Sequence, residues 1–302
     1  MNLMLKKQQT YIIIGALLAV LLFVVIAPSE NVASERPAVL GEEVVVPIKF
    51  PDVTLEANGA VVYDPKNDSV IFSKNADTQL PLASVTKVMT SVVVMEQLPE
   101  DYEIIISSAA LEADGESGLE LEDKWEKDEL VKYMLMVSSN DAAEALALSV
   151  ESLKGQSFID LMNQKAQRLG LTQTLFYSPS GLDKSYSLPG AYGSATDIAK
   201  LILYAWQNYP DIWAVTIKSE ANFKTLNGRT IKAENTNQSS IHTTLIRASK
   251  TGFTPLAGGN LAVVFEAGPA RPMAVVILGS SELGRFRDVE TLISLTLEYL
   301  AN

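Results

Sequence analysis

Cysteine is absent, and histidine occurs once, at position 242, in a chain of 302 residues. Without cysteine there is no disulfide framework, no thiolate nucleophile and no thiolate-ligated metal. One histidine cannot supply the two- or three-histidine set of a metal site. Any Ser-His-Asp triad would have to pass through that single residue. Positive charge is also scarce: 24 Lys and Arg against 36 Asp and Glu leave a net charge of −12. That balance argues against a nucleic-acid partner, which selects a basic face. Hydrophobic residues at 47% and charged ones at 20% are globular proportions, and the length suffices to bury a substantial core.

A long apolar run covers residues 11–27, with Lys6 and Lys7 before it. At about 1.5 Å per residue, such a helix just crosses a hydrocarbon core of about 30 Å. It is also slightly longer than the apolar stretch of a cleaved signal peptide, and Val32-Ala33-Ser34 offers a weak cleavage site. The lysines put residues 1–10 in the cytoplasm and the rest of the chain outside, whether 11–27 is a retained anchor or a cleaved signal. Residues 28–51, rich in Pro, Glu and Val, read as a linker, and 52–302 as one exported domain.

Within that domain, 59–64 and 69–74 pattern as strands joined by the turn Pro65-Lys66-Asn67-Asp68. Residues 84–98 place Val85, Val88, Met89, Val92 and Met95 at helical spacing, apolar on most sides, which predicts a buried helix. Residues 96–130 carry 13 acidic side chains against two lysines and read as a solvated, loop-rich face without a calcium loop. Helical patterns follow at 127–137, 141–150 and 157–168, and Ser194-Ala195-Thr196-Asp197 opens another that runs to Trp206. Strands are predicted at 213–219 and 222–226, then, after an Asn227-Gly228 turn, at 229–233, 245–253, 260–266 and 273–279. The last helix presents Val289, Leu292, Ile293, Leu297 and Leu300 on one face. The expected class is α+β: an antiparallel sheet lobe flanked by helices (about 56–95 and 210–302), an all-helical lobe (about 96–209), and a cleft between them.

Three short motifs carry chemistry. Ser84-Val85-Thr86-Lys87 is an S-x-x-K at the start of the buried helix; residues three apart lie side by side there, so the lysine amine can reach the serine hydroxyl. A serine is a poor nucleophile until a base takes its proton. With histidine nearly absent, a lysine kept neutral by burial and a second nearby cation is the base at hand. Ser138-Ser139-Asn140, at a junction of two helical stretches, offers a hydroxyl that can relay a proton and an amide that can hold a peptide group. Lys250-Thr251-Gly252 lies on a predicted strand: a cation, a hydroxyl donor and room for a substrate backbone at the strand edge. Each alone also fits a capping serine, a surface lysine or a plain strand. Together and in this order, 54 and 112 residues apart, they match the signature of class A β-lactamases and penicillin-binding proteins.

Within that group the chain resembles the serine D-alanyl-D-alanine carboxypeptidases, the low-molecular-mass penicillin-binding proteins. The resemblance rests on Pro81-Leu82-Ala83-Ser84-Val85-Thr86-Lys87-Val88-Met89-Thr90, Ser138-Ser139-Asn140-Asp141-Ala142-Ala143 and Lys250-Thr251-Gly252-Phe253-Thr254-Pro255, and extends from about Gly59 to Leu300. It implies a β-lactamase/transpeptidase-like fold and a peptidoglycan stem peptide ending in D-Ala-D-Ala as substrate. β-Lactams are implied as acylating inhibitors, no cofactor or metal is expected, and the site lies on the outer face of the cytoplasmic membrane. Ser84 is implied as nucleophile, Lys87 as general base, Ser138 as proton relay between Lys87 and the leaving amine, and Asn140 as holder of the substrate amide. Lys250 and Thr251 would bind the terminal carboxylate, with Lys250 also keeping Lys87 neutral. Gly252 would line the strand edge, Arg285 would stand near the carboxylate, and the N–H groups of Ser84 and Phe253 would form the oxyanion hole. Three departures are expected: Ser178-Pro179-Ser180-Gly181-Leu182 stands where Asn-Pro-His-Gly-Leu is frequent, and neither the β-rich second domain nor the C-terminal amphipathic anchor into which many members continue is expected after the last helix. Class A β-lactamase is the nearest rival, but the E-x-x-L-N of its deacylating glutamate does not occur. The same three motifs would also serve an endopeptidase, or a non-catalytic receptor that binds cell-wall peptide or β-lactam.

Overall fold

The apolar runs Leu261-Ala262-Val263-Val264-Phe265 and Met273-Ala274-Val275-Val276-Ile277-Leu278 are too continuous for a sheet with one wet face. The computed structural model, which describes residues 49–302 except 116 and 238–244, covers both faces. Strands β1 (Gly59–Asp64), β2 (Ser69–Lys74), β10 (Ile246–Thr254), β11 (Gly258–Glu266) and β12 (Pro272–Ser280) form an antiparallel sheet in the order β10-β11-β12-β1-β2. Val62 pairs with Val275, and Ala60 with Ile277; these face helix α7 (Gly284–Ala301) through Val289, Leu292 and Ile293. The alternate residues Val61, Val276 and Leu278 face the opposite way, into the larger core, with helix α5 (Ala195–Asn208) against the sheet. The period of two thus divides one sheet between two apolar cores.

The larger core holds helices α1 (Lys87–Gln97), α2 (Lys127–Val137), α3 (Asn140–Lys154) and α4 (Phe158–Arg168). Residues 87–94 of α1 are all buried, as its apolar sequence requires. Short ribbons accompany these helices: β4 (Glu103–Ile105) with β5 (Lys124–Glu126), and β3 (Leu80–Pro81), β7 (Ala191–Gly193) and β6 (Leu175–Phe176) in the order β3-β7-β6. The stretch 96–209 is therefore not all-helical, and α5, expected with the other helices, covers the sheet.

Two further expectations change. Residues 213–219 are not a strand: Pro210, whose fixed φ suits a first helical turn, opens α6 (Pro210–Trp213), and a 3-10 turn (Ala214–Ile217) continues it. The alternating Trp213, Val215 and Ile217 that suggested a strand put Trp213 and Val215 in the core from helical turns. The hairpin β8 (Glu220–Lys224) and β9 (Thr230–Glu234) forms, but apart from the main sheet. Its Phe223 packs edge-on to Tyr133 of α2, ring centroids 5.3 Å apart, and beside Trp125. Among the described residues no helix is long and apolar enough to cross a membrane; the run 11–27 and His242 lie outside them.

The chain leading into β1 is fixed by one carboxylate. Asp288 on α7 accepts from the Glu56 and Ala57 amides at 3.1 and 2.9 Å and from Ser280 Oγ at 2.8 Å. An Asp288→Ala variant leaves these donors unpaired, and urea unfolding is expected to show a loss of about 2–4 kcal/mol.

Candidate active site

Three segments converge where the helices meet the edge strand β10. In the first, Ala83 takes φ +48° and Ser84 follows on a 3-10 turn (Ala83–Thr86) that passes into α1 at Lys87. The left-handed Ala83 is strained by about 1–2 kcal/mol. The helix predicted from Ser84 thus begins as a tighter turn, and this helps the chemistry. With three residues per turn, side chains three apart eclipse, and Lys87 Nζ stands 2.9 Å from Ser84 Oγ. Asn260 of β11 holds this turn to the sheet, donating from Nδ2 to the Pro81 and Leu82 carbonyls at 2.9 Å each.

The second segment is the α2–α3 junction. Ser138 ends α2 in the left-handed region (φ 63°), Ser139 caps α3 by accepting from the Ala142 amide at 2.9 Å, and Asn140 is the first residue of α3. A C-cap and an N-cap back to back make a sharp corner, which turns Asn140 toward Lys87. Its Oδ1 accepts from Lys87 Nζ at 2.7 Å while its Nδ2 donates to the Asp114 carbonyl at 2.7 Å, which fixes the amide's orientation.

The third is β10. Lys250 Nζ donates to Ser138 Oγ at 2.9 Å and to the Thr251 carbonyl at 2.8 Å. Thr251 Oγ1 lies 2.6 Å from Thr236 Oγ1. Gly252 lies against the nucleophile turn: a Cβ there would stand 2.9 Å from the Leu82 carbonyl oxygen and 3.1 Å from the Ser84 nitrogen. Phe253 is half-exposed on the same edge. Arg285 is buried at the start of α7 and donates from Nη1 to the Gly252 carbonyl at 2.8 Å, bracing β10.

The structure therefore brings Ser84, Lys87, Asn140, Ser138, Lys250, Thr251, Gly252 and Arg285 together. It changes two relations. Ser138 is hydrogen-bonded to Lys250 and not to Lys87, because each buried amine takes its own hydroxyl. Burial is what chiefly lowers Lys87, to a pKa of about 7, and the Glu144 carboxylate works against it. Lys250 is driven well down by burial and by the nearby cations Lys87 and Arg285.

Four partners escaped sequence reasoning. The Ser180 carbonyl accepts from Lys87 Nζ at 2.8 Å. Its loop is set by Gly181 (φ +83°), where a Cβ would fall on the Ala83 carbonyl, and by Thr90 donating to the Pro179 carbonyl at 2.5 Å. The departure at 178–182 is thus part of the site, and it contributes backbone that no side-chain motif announces. Asp114 too acts through its carbonyl; Thr236 and Glu144 sit in no recognisable motif. No group of three His, Asp or Glu side chains that could hold a metal ion occurs among the described residues.

Over residues 46–281 the chain matches the peptidase S11 family, described as D-alanyl-D-alanine carboxypeptidase. It belongs to that family. D-alanyl-D-alanine carboxypeptidase DacC of Escherichia coli is 31% identical over 257 residues, covering 80% of this chain and 61% of that protein. A D-alanyl-D-alanine endopeptidase of Pseudomonas aeruginosa is 32% identical over 210 residues, covering 68% and 65%. This S11 chain thus spans less than two thirds of the length of these relatives. Penicillin-binding protein D2 of Listeria monocytogenes, solved in an ampicillin-bound form, superposes with a TM-score of 0.70 at 30% identity, over 82% of this chain and 99% of that one. A mutant of the Streptomyces K15 DD-transpeptidase does so at 0.73 and 26%, over 82% and 100%. The α+β fold of the S11 domain is that of the penicillin-binding proteins.

Gly252→Ala would push β10 off the nucleophile turn. Since a displacement of about 1 Å in an active site can lower a rate about 100-fold, labelling of the S11 chain by a fluorescent penicillin should slow by at least tenfold. Its unfolding transition should remain cooperative.

Proposed function

We propose that this chain is a serine DD-carboxypeptidase, which removes the terminal D-Ala of peptidoglycan stem peptides through an acyl-enzyme on Ser84 and is acylated by β-lactams. One observation carries the reading: the partners of the buried Lys87 amine. The Asn140 Oδ1 and Ser180 carbonyl oxygens only accept, so a neutral amine gives them its two protons and turns its lone pair to Ser84 Oγ. Burial supplies the neutral amine at a pKa of about 7.

In the proposed reaction Lys87 takes the Ser84 proton as Oγ attacks the carbonyl of the penultimate D-Ala. The oxyanion meets the N–H groups of Ser84 and Phe253, and such donors are worth about 3–4 kcal/mol each. Asn140 holds a substrate amide. The terminal carboxylate settles by Lys250 and Thr251, with Arg285 behind them, and supplies the counter-charge that restores the Lys250 ammonium. The Lys250 ammonium, protonated from solvent as the carboxylate enters, hands a proton through Ser138 to the departing D-Ala nitrogen as the C–N bond breaks, and the proton held by Lys87 passes on to restore it. The neutral Lys87 then takes a proton from the water that attacks the ester and returns it to Ser84 Oγ as the ester C–O bond breaks. We place this domain outside the cytoplasmic membrane, with 11–27 as its export segment.

Endopeptidase action on D-Ala cross-links is the second reading, favoured by relatives named D-alanyl-D-alanine endopeptidase. Incubation with a D-Ala-D-Ala pentapeptide and with a cross-linked dimer separates the two: released D-Ala supports the carboxypeptidase, and cleaved dimer alone supports the endopeptidase. Binding without turnover of either would mean a receptor, and rapid loss of penicillin from Ser84 a lactamase.

Because acylation needs the unprotonated amine, its rate should rise from acid pH to a plateau with a midpoint near 7, the Lys87 value. Stopped-flow labelling with a fluorescent penicillin measures it. Lys87→Arg keeps a cation that does not deprotonate and should slow labelling by roughly 100- to 10,000-fold, and Ser84→Ala should abolish it.

A further inference from the structure

Beside the loop whose Ser180 carbonyl accepts from Lys87 lies an open pocket of about 320 Å³. Its walls include Glu112, Glu144, Ser178, Ser180, Asp183 and Lys184. Ser180 is the residue whose carbonyl accepts from Lys87, so this wall is shared with the site. Glu144 follows Asn140 by four residues on α3 and lies one turn along on the same face. Asn140 Oδ1 is already at 2.7 Å from the amine. The Glu144 carboxylate is half-buried and has no hydrogen-bond partner among the described residues, and the proposed reaction gives it no task.

We propose that Glu144 is the counter-charge of Lys87: its carboxylate compensates the ammonium that forms when Lys87 takes the Ser84 proton, and so sets how basic the resting amine is. It is a positioning residue, acting through Lys87 and not on substrate. The other charged groups around the amine leave this role to it. From β10 comes Lys250, itself driven well down by burial and by the Lys87 and Arg285 charges, which offers Lys87 no negative charge. From the 178–184 loop come Asp183, which accepts from Thr254, and Lys184, exposed on the cavity wall. Glu112 also lines this pocket. On α3 itself, Asp141 accepts from Ser117. Burial raises the Glu144 carboxyl, and Lys184 and Lys87 pull it back toward the ionised form; the attraction to Lys87 is mutual. A base wholly stripped of compensation by burial would be too weak to take a serine proton; one in direct contact with a carboxylate would stay protonated. A carboxylate beyond hydrogen-bonding reach, one helical turn past the Asn140 that meets the amine, lies between these limits.

The inference rests on Lys87 serving as the base for Ser84, and the test keeps the two apart. The full chain and its Glu144→Gln, Glu144→Asp and Glu144→Ala variants are mixed with a fluorescent penicillin across a range of pH, and both acylation and loss of the adduct are followed. Removing the charge should move the acid limb to lower pH by roughly half to one unit and lower the plateau about two- to threefold, as expected of a weaker base. Glu144→Asp, which keeps the charge, should leave the limb near that of the parent. Glu144→Ala gives the same reading should the glutamine variant not fold. Limbs that coincide in parent and charge-free variants would overturn the inference; with slower loss of the adduct as well, the carboxylate would belong to hydrolysis of the acyl-enzyme instead. A parent that forms no adduct on Ser84 would overturn the proposed function itself.

Discussion

An amine sealed from water must satisfy every proton it carries, and Lys87 meets this demand in both of its states. As an ammonium it has three donors for three oxygens: Ser84 Oγ, Asn140 Oδ1 and the Ser180 carbonyl. As a neutral amine it has two donors, and two of those oxygens cannot donate in return. The remaining direction, toward Ser84, is where its lone pair must lie. Had either carbonyl been a hydroxyl, the lone pair would have had a choice and Ser84 would have lost its fixed partner. The requirement reaches through the fold, because the three oxygens come from a 3-10 turn, a helix start and a loop nearly a hundred residues downstream. Each must be held within a few tenths of an ångström, and buried Asn260, the Ser139 cap and Gly181 do the holding.

The same precision explains the placement of β10. A strand that is to pair with an extended peptide has to lie at a sheet edge, yet an edge strand is the least supported in a sheet. Here it is backed from three sides: by β11 through the ladder, by the nucleophile turn pressed against Gly252, and by the Arg285 guanidinium on the Gly252 carbonyl. Asp288, one turn further along α7, secures the same end of the sheet at Ser280 of β12 and the entry to β1. One helix therefore serves both as cover for the smaller core and as the brace for the site.

What the sequence made legible was side-chain chemistry and strongly periodic structure. Spacing put Lys87 within reach of Ser84, and the other two motifs singled that pair out; periodicity marked the helices at 127–137 and 157–168 and the strands around Val263 and Val276. Its failures have a common physical origin. Residues 213–219 alternate like a strand because two helical turns that put Trp213 and Val215 into the core give the same alternation over so short a span. The Ser180 and Asp114 contributions were invisible because carbonyl oxygens are common to all residues, and only the fold decides which of them reach an amine. The hydrogen bond between Ser138 and Lys250 was not foreseen, because motif order along the chain says nothing about which of two buried amines a hydroxyl will meet.

Charge shows how far bulk properties can stand from local ones. The chain carries −12 overall, yet Lys87, Lys250 and Arg285, three of its 24 basic residues, are gathered in one buried cluster. Water screens the acidic surface, whereas the cluster is screened little, so the field in the groove follows the nearest groups and not the sum. Burial holds both amines below their ordinary range, and for Lys250 the Lys87 and Arg285 charges add to it, which leaves the groove short of negative charge. An anionic peptide end relieves that shortage at the Lys250 side. On the Lys87 side the proposed counter-charge requires no ligand, because α3 carries Glu144 one turn beyond the Asn140 that meets the amine. In this arrangement the two lysines are set apart by the source of their compensation, external for the one that would bind a carboxylate and internal for the one that would take a proton.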